Sequence, residues 1–164
     1  MPVKNIKLEV TFIEYDSSDD LSVNDRELLE HANNAINSAY APYSGYQVGA
    51  AVELENGEIV IGSNQENVAF PSGLCAERVA IFAAASQYPD ITLKTVAITS
   101  KARDFHVDTP VTPCGACRQV IAEYERNQGK KIRLILAGET GKVYLIEGME
   151  NLLPLMFKVD QLKL

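Results

Sequence analysis

Polar and apolar residues alternate near the start of the chain, and further along apolar residues recur at helical spacing. Residues 6–15 (IKLEVTFIEY) alternate well enough to predict a strand, and the polar run 16–20 (DSSDD) predicts a loop. From Ser22, a residue type suited to a helix N-cap, apolar residues recur with helical spacing as far as Ala39. Residues 41–45 (APYSG) end this first predicted helix.

Predicted strands and helices alternate along the rest of the chain. The strands are expected at 47–54, 58–62, 94–100, 132–137 and 142–146, and the helices at 75–87, 114–127 and, as a short final helix, 151–157. The first two of these strands are joined through Asn56-Gly57, a dipeptide typical of tight hairpins. Strands that alternate with helices favour an α/β fold with helices on both faces of one sheet, so we predict a three-layer α/β/α sandwich.

The chain has 164 residues, a length that predicts one domain with a substantial core. We expect residues 22–164 to form that domain and residues 1–21 to form an N-terminal extension made of a strand and a polar loop. The apolar fraction of 46% and the charged fraction of 23% are ordinary for a globular protein.

Charge and cysteine content restrict the expected partners and compartment. The net charge is −7 and the longest basic cluster is Lys130, Lys131 and Arg133, which argues against a nucleic acid polymer as partner and favours a small substrate. No apolar run is long enough to span a bilayer, and the first residues do not resemble a signal peptide. We therefore expect no membrane partner and a cytoplasmic location. An odd number of cysteines fits a reducing compartment and metal binding.

The three cysteines lie in two short segments, each at the start of a predicted helix: residues 75–78 (CAER) and 113–119 (PCGACRQ). Cys114 and Cys117 are spaced to share one face of a first helical turn, and helix N-termini stabilise thiolates. Neither His31 nor His106 lies in a ligand-like motif. Zinc with three protein ligands keeps a fourth position for water or substrate, so these cysteines predict a catalytic zinc site.

Three charged residues beside the cysteines are candidates for roles in this chemistry. Glu77 lies two positions beyond Cys75, where a carboxylate can take a proton from water and pass it to a substrate. Its simplest alternative role is to stabilise the helix N-terminus. For Arg78 and Arg118 we hypothesise that at least one donates a hydrogen bond to a thiolate sulfur and so tunes the metal.

Taken singly, each cysteine segment is also compatible with a simpler role. Cys75 alone could simply be a small buried apolar side chain. The Cys-x-x-Cys pair alone could be half of a zinc ribbon or a redox pair. Cys-x-Glu together with Pro-Cys-x-x-Cys is the combination typical of zinc deaminases that act on nucleobases.

With these motifs the chain resembles the cytidine deaminase family, in particular its short-chain, three-cysteine branch. The resemblance rests on the cysteine segments and on APYS (41–44), VGAA (48–51), NQEN (64–67) and LLP (152–154), in order over about 28–157. It implies a cytidine deaminase-like fold around one mixed five-stranded sheet, with a possible extra N-terminal strand. The implied reaction is hydrolysis of cytidine and deoxycytidine to uridine and deoxyuridine with release of ammonia, in pyrimidine salvage.

The resemblance also implies roles for individual residues. One Zn²⁺ per chain is held by Cys75, Cys114 and Cys117, and Glu77 carries protons. The implied substrate contacts are those of Asn64 and Glu66 with the sugar hydroxyls, Tyr46 with the base, the backbone at Ala76 and Thr112 with the pyrimidine edge, Phe70 within the substrate-binding segment, and Phe157 near a neighbouring subunit's site. A homotetramer with sites near subunit interfaces is implied as well.

The chain departs from the family pattern at three of these positions. Tyr46 stands where Phe is common, Gln65 interrupts Asn-Ile-Glu-Asn, and Phe70 replaces Tyr and so removes a hydroxyl. These changes bear on substrate preference, so a deaminase of another aminated base or nucleoside, such as a nucleoside antibiotic, is the alternative enzyme. Asn64 and Glu66 favour a nucleoside over a free base. A non-catalytic zinc-binding module is the alternative of another class, and it would require a fourth protein ligand.

Overall fold

The computed structural model describes residues 3–158, which form one mixed sheet with helices on both faces. The strands are β1 (Ile13–Tyr15), β2 (Tyr46–Leu54), β3 (Ile59–Ser63), β4 (Leu93–Ala102), β5 (Arg133–Ala137) and β6 (Val143–Glu147). The helices are α1 (Val23–Ala35), α2 (Ala76–Gln87) and α3 (Gly115–Gln128). Residues 1–2 of the predicted extension and 159–164 of the predicted domain lie outside the described residues.

The sheet order is β1-β6-β5-β4-β2-β3, and within it β4 and β5 pair in parallel whereas the other neighbours are antiparallel. The connection between the parallel strands contains α3, as a parallel pair requires a crossover. The predicted fold class is confirmed, with six strands instead of five. The additional strand is β1, which pairs with β6 and corresponds to the N-terminal strand that the sequence left as a possibility.

Alternation along the central strands builds a core on each face of the sheet, because successive side chains in a strand point to opposite faces. On one face Ala51, Ala97 and Ile135 pack against Leu28 and Ala32 of α1. On the opposite face the packed residues include Val52, Ile98 and Leu136 of the sheet, Ala80 and Ile81 of α2, and Ile121 of α3. The two helices that begin near the cysteines therefore lie on the same side of the sheet.

The first strand is shorter than predicted, since only Ile13–Tyr15 of residues 6–15 pairs with the sheet. Ile13 lies opposite Leu145, so continued pairing would soon pass Glu147, where β6 ends and Gly148 turns the backbone with φ 84°. The Thr11 N–H instead donates to the Asn151 side chain at 2.8 Å. Because the Asn151 side chain also donates to the Glu147 carbonyl at 2.8 Å, it takes the place of strand pairing between Thr11 and β6. The polar run 16–20 contains a 3₁₀ turn at Ser18–Asp20.

The predicted final helix at 151–157 is wrong. A 3₁₀ turn at Met149–Asn151 is followed by irregular backbone through the described part of that segment. Pro154 explains the difference, because proline has no N–H to donate and disfavours the helical conformation at Leu153 before it. None of the helices within residues 3–158 has the length and apolar character needed to cross a bilayer.

Two strand glycines allow helices to approach the sheet closely. A Cβ at Gly49 would lie 2.0 Å from the carbonyl oxygen of Ala32 in α1, and a Cβ at Gly62 would lie 2.5 Å from the backbone nitrogen of Ala80 in α2. The same Cβ at Gly62 would be 2.8 Å from the carbonyl oxygen of Ala76, in the first turn of α2. Gly62 therefore sets how near the sheet α2 begins.

Candidate metal centre and active site

The three cysteine sulfurs converge between the N-termini of α2 and α3. Cys75 is the N-cap of α2, Cys114 is the N-cap of α3, and Cys117 lies buried in the first turn of α3. The Sγ atoms are 3.8 Å apart between Cys75 and Cys114 and 3.5 Å apart between Cys114 and Cys117, and all three lie within 4.8 Å of one another. Tetrahedral zinc with Zn–S bonds of about 2.3 Å puts its sulfurs roughly 3.8 Å apart, so the donor set fits zinc.

No fourth His, Cys, Asp or Glu ligand atom joins this cluster within the described range. A structural zinc site normally closes with four protein ligands, whereas a catalytic site keeps a position open. The arrangement therefore has the ligand number of a catalytic site.

Hydrogen bonding within the cluster favours thiolate at Cys75. The hydrogen bond with Cys117, assisted by Arg78 and Cys114, lowers the pKa of Cys75 to about 5. The same bond and burial raise the pKa of Cys117. Because the thiolate is the metal-binding form of cysteine, the lowered pKa of Cys75 favours this residue as a metal ligand.

The two arginines beside the cysteine segments make different contacts. Arg78 Nη2 lies 3.8 Å from Cys75 Sγ, within reach of a sulfur hydrogen bond. Arg118 instead donates from Nε to the Pro113 carbonyl at 2.7 Å, from Nη1 to the Leu152 carbonyl at 2.8 Å and from Nη2 to the Thr112 hydroxyl at 3.3 Å. Arg78 thus contacts the sulfurs, whereas Arg118 ties the loop before α3 to the C-terminal segment.

Glu77 projects from the first turn of α2 and is 4% exposed. Burial is the largest cause of its altered pKa, which is raised above the ordinary value for glutamate. A raised pKa makes the carboxylate a better proton acceptor, which favours a role as general acid and base. The residue therefore has both the location and the acidity suited to proton transfer beside the cysteines.

One cavity of about 770 Å³ contains most of the predicted site. Its lining includes Cys75, Cys114, Glu77, Arg78, Asn64, Glu66, Tyr46, Phe70 and Thr112. The volume falls within the range of about 300–1,000 Å³ usual for small-molecule sites. The residues predicted to bind the metal, to carry protons and to hold the sugar therefore border one cavity, and its volume is large enough for a nucleoside.

Two predicted substrate residues lie outside this lining. Ala76 is fully buried and does not line the cavity, so the predicted contact of its backbone with the pyrimidine edge stays a prediction. Phe157 is 72% exposed, and its carbonyl accepts a hydrogen bond from the Gln119 side chain at 3.1 Å beside α3. Within one chain it does not reach the cavity, and its predicted role concerned a neighbouring subunit.

The two predicted sugar ligands are held by contacts with the segment from Tyr43 to Val48. Asn64 Oδ1 accepts from the Val48 N–H at 2.8 Å, and Asn64 Nδ2 donates to the Tyr46 carbonyl at 2.9 Å. The Glu66 carboxylate accepts from the backbone N–H and hydroxyl of Ser44 and from the Tyr43 N–H. In the sequence, residues 41–44 are recognisable as a motif of the family. Their contact with Glu66 was not predicted.

Tyr46 and Phe105 show how the cavity accommodates one of the departures from the family pattern. The Tyr46 hydroxyl lies 2.7 Å from the hydroxyl of Ser100, which is fully buried, and its ring stacks on Phe105 with centroids 6.2 Å apart. The extra hydroxyl therefore has a partner within the protein.

Comparison with known proteins gives consistent similarities. The family model described as "Cytidine and deoxycytidylate deaminase zinc-binding region" matches residues 22–129. The cytidine deaminase of Halalkalibacterium halodurans is 41% identical over 100 residues, which are 60% of this chain and 71% of that protein. The cytidine deaminase of Sporosarcina psychrophila is 43% identical over 98 residues, 60% of this chain and 68% of that protein. The crystal structure of cytidine deaminase from Burkholderia pseudomallei is similar with a TM-score of 0.70 and 31% identity, covering 84% of this chain and all of that one.

Proposed function

The chain belongs to the cytidine and deoxycytidylate deaminase zinc-binding family, and from this we propose that it hydrolyses cytidine and deoxycytidine to uridine and deoxyuridine with release of ammonia. One observation carries the proposal: three sulfurs spaced for a single zinc ion share a cavity with the buried carboxyl of Glu77 and with Asn64 and Glu66. This combination joins a hydrolytic centre to groups that can bind a sugar.

The reaction divides between the metal ligands and Glu77. When bound by the three cysteines, zinc supplies a water molecule of lowered pKa that can attack C4 of the pyrimidine near neutral pH. Glu77 takes one proton from the attacking water and delivers it to N3. It then takes the second proton from the new C4 hydroxyl group and gives it to the amino group, which leaves as ammonia when the C4–N bond breaks. The raised pKa of the Glu77 carboxyl favours its protonated form, which supports a role in carrying each proton.

The remaining cavity residues are proposed to bind and orient the nucleoside. Asn64 and Glu66 bind sugar hydroxyls, Tyr46 packs against the base and Phe70 borders the substrate. The backbone at Ala76 and Thr112 contacts the pyrimidine edge. Their support is the family resemblance together with the cavity that Asn64, Glu66, Tyr46, Phe70 and Thr112 line.

Neither alternative accounts for the cavity as well. A non-catalytic zinc module would require a fourth protein ligand, and the described residues supply none near the three sulfurs. A deaminase of another aminated nucleoside would have the same zinc ligands and the same proton-carrying glutamate, so it would differ only in its substrate preference. Amide and carboxylate groups can each engage a hydroxyl, which favours a nucleoside over a free base.

The activity is tested by adding cytidine to the purified zinc-loaded protein and following the loss of ultraviolet absorbance as the amino group leaves. Chromatography of the mixture identifies uridine, and an ammonia assay checks that the two products form in equal amounts. Deoxycytidine and free cytosine are compared in parallel. Turnover of both nucleosides with none of cytosine is expected, and a protein inactive on both nucleosides would contradict the proposal.

We expect the assembly to be a homotetramer with each site near a subunit interface. Exposed aromatic residues support this: Phe70 is 77% exposed and Tyr43 is 49% exposed at the cavity, and Phe157 is 72% exposed beside α3. Light scattering during gel filtration should give four times the mass of one chain. A single-chain mass at micromolar concentration would contradict the assembly without bearing on the reaction.

The domain limits and compartment complete the proposal. Because the family match begins at residue 22, residues 1–21 are treated as an extension of a catalytic domain that comprises 22–164. The three cysteines are free thiols, and they would remain available to zinc in a reducing compartment such as the cytoplasm.

Replacing Arg78 by Gln should weaken zinc retention and lower turnover, by about 10- to 100-fold in affinity or rate. The reason is that Arg78 supplies a cationic donor beside the Cys75 sulfur, at 3.8 Å. Zinc content after dialysis and the steady-state rate measure the two effects. Arg103→Gln is the matched control, because that exposed arginine pairs with Asp104 and does not line the cavity. Unchanged zinc content and rate in Arg78→Gln would exclude the role.

A further inference from the structure

The carboxylate of Glu66 is bound by residues 43–44, far from it in sequence. Its Oε1 accepts the hydroxyl proton of Ser44 at 2.5 Å, and its Oε2 accepts the backbone N–H of Tyr43 at 2.9 Å and of Ser44 at 3.3 Å. These bonds lower the pKa of Glu66, with the Ser44 hydroxyl as the largest cause. The group is therefore ionised at neutral pH and acts as an acceptor only.

The Ser44 hydroxyl also has a fixed direction. It accepts the backbone N–H of Tyr46 at 3.0 Å, at the start of β2. A hydroxyl has one proton to donate, and a backbone N–H must be met by an oxygen lone pair. The Ser44 proton is thus directed to Glu66, and a single hydroxyl joins the strand that carries Tyr46 to the carboxylate.

The backbone around Glu66 is held independently of Ser44. The Glu66 N–H donates to the Tyr40 carbonyl at 2.8 Å, and the Gln65 N–H donates to the Leu74 carbonyl at 2.9 Å. These bonds fix the main chain but leave the side-chain torsions of Glu66 free. Its orientation therefore depends on the donors from residues 43–44, of which Ser44 alone contributes a side chain.

Counting acceptor sites shows which oxygen can bind a ligand. A carboxylate offers about four lone-pair positions, two on each oxygen. Oε2 receives two protein donors, whereas Oε1 receives the Ser44 hydroxyl and keeps one position. Because Glu66 lines the cavity, that position on Oε1 is the one available to a hydroxyl donor there.

We propose that Ser44 is a positioning residue for sugar recognition: its hydroxyl orients Glu66 so that one oxygen accepts a substrate hydroxyl. The inference rests on the proposed function, in which Glu66 binds the sugar. Ser44 acts through Glu66, without touching the reacting atoms, so its effect is on the binding of substrates that carry the sugar hydroxyls. A residue that only stabilised its loop would affect all substrates alike.

The test compares Ser44→Ala with Ser44→Thr, which keeps the hydroxyl, on cytidine and on 2′,3′-dideoxycytidine. In Ser44→Ala the KM for cytidine should rise about tenfold or more, since the lost hydrogen bond is to a charged group, while kcat stays within about twofold. The KM for the dideoxy substrate should change little. Ser44→Thr should restore most of the affinity for cytidine.

A double-mutant cycle links the effect to Glu66. In a Glu66→Ala background, adding Ser44→Ala should raise the KM for cytidine by less than twofold, because no side-chain oxygen at position 66 remains for Ser44 to orient. Zinc content and thermal melting of each variant establish that the fold and metal are retained. Ser44→Gly takes the place of Ser44→Ala in the comparison if the alanine variant aggregates.

The outcomes separate this inference from the proposed function. A native protein that deaminates no nucleoside refutes the proposed function by itself. A native protein that is active, with Ser44→Ala equally impaired on both substrates or unimpaired on both, overturns the inference about Ser44 and leaves the reaction intact. Additive effects of Ser44→Ala and Glu66→Ala also overturn the inference.

Discussion

Turnover of cytidine by the Glu77→Gln variant is expected to fall by about 10²- to 10⁴-fold, the range that general acid–base catalysis contributes. Glutamine has nearly the size of glutamate and keeps the packing at a position that is 4% exposed, but it cannot accept a proton. Zinc content should be unchanged, because Glu77 is not among the three clustered ligand residues. Activity by ultraviolet absorbance, zinc by elemental analysis and thermal melting give the three measurements.

Glu30→Gln is the matched control, since it changes an exposed carboxylate on α1 in the same way without altering the site. The native rate and melting temperature should persist in that variant. If Glu77→Gln kept more than about a tenth of the native rate with full zinc content, another group would have to carry the proton, and the role of Glu77 would be refuted.

Removing zinc with a chelator is expected to reduce turnover to the background rate, and adding Zn²⁺ should restore it. Removing the cation takes away the ion that would join the N-terminus of α2 to that of α3 through the three clustered sulfurs. If the zinc-loaded protein is kept at a free zinc concentration a thousand times its Kd, mass action predicts that removing the zinc lowers the free energy of unfolding by about 4 kcal/mol. That corresponds to a fall of roughly 10 °C in melting temperature for a domain of this size.

The pH at which the metal is stripped gives a further check. Ligand sulfurs must be deprotonated to bind zinc, so zinc affinity falls as pH falls, and burial with the shared hydrogen bond raises the pKa of Cys117. Removal of zinc should therefore be more complete at pH 6 than at pH 8 after the same time with the chelator. Mg²⁺ is the control cation, because it prefers oxygen ligands and should not restore activity. Undiminished turnover in the stripped protein would exclude a zinc mechanism.

Local sequence patterns were sufficient to predict the two halves of the metal centre. Cys75 and the segment from Pro113 to Cys117 occupy helix starts, where residue types and spacing act over a single turn. Their approach to one point depends on the strands that deliver each helix, and spacing along the chain carries no information about that distance. The order of the motifs indicated their convergence through the family resemblance, and the Sγ separations in the structure agree with zinc geometry.

The errors in the predicted fold occurred where tertiary contacts decide the local structure. Alternation in residues 6–15 predicted a strand, but pairing is limited to Ile13–Tyr15, and beyond it the Asn151 side chain bonds to both Thr11 and Glu147. The apolar residues near the C-terminus suggested a helix that Pro154 prevents. The bond between Ser44 and Glu66 joins residues 22 positions apart, so no local pattern could have predicted it.

The glycine at position 62 limits how this protein can be redesigned. Any larger residue would push the first turn of α2 outward and carry the Cys75 sulfur away from its two companions. Randomising that codon and selecting for deamination should therefore return glycine alone, even though Gly62 does not line the cavity. Grafting the cysteine motifs onto another scaffold would fail for the same reason, unless the strand that packs against the helix also had glycine at the corresponding position.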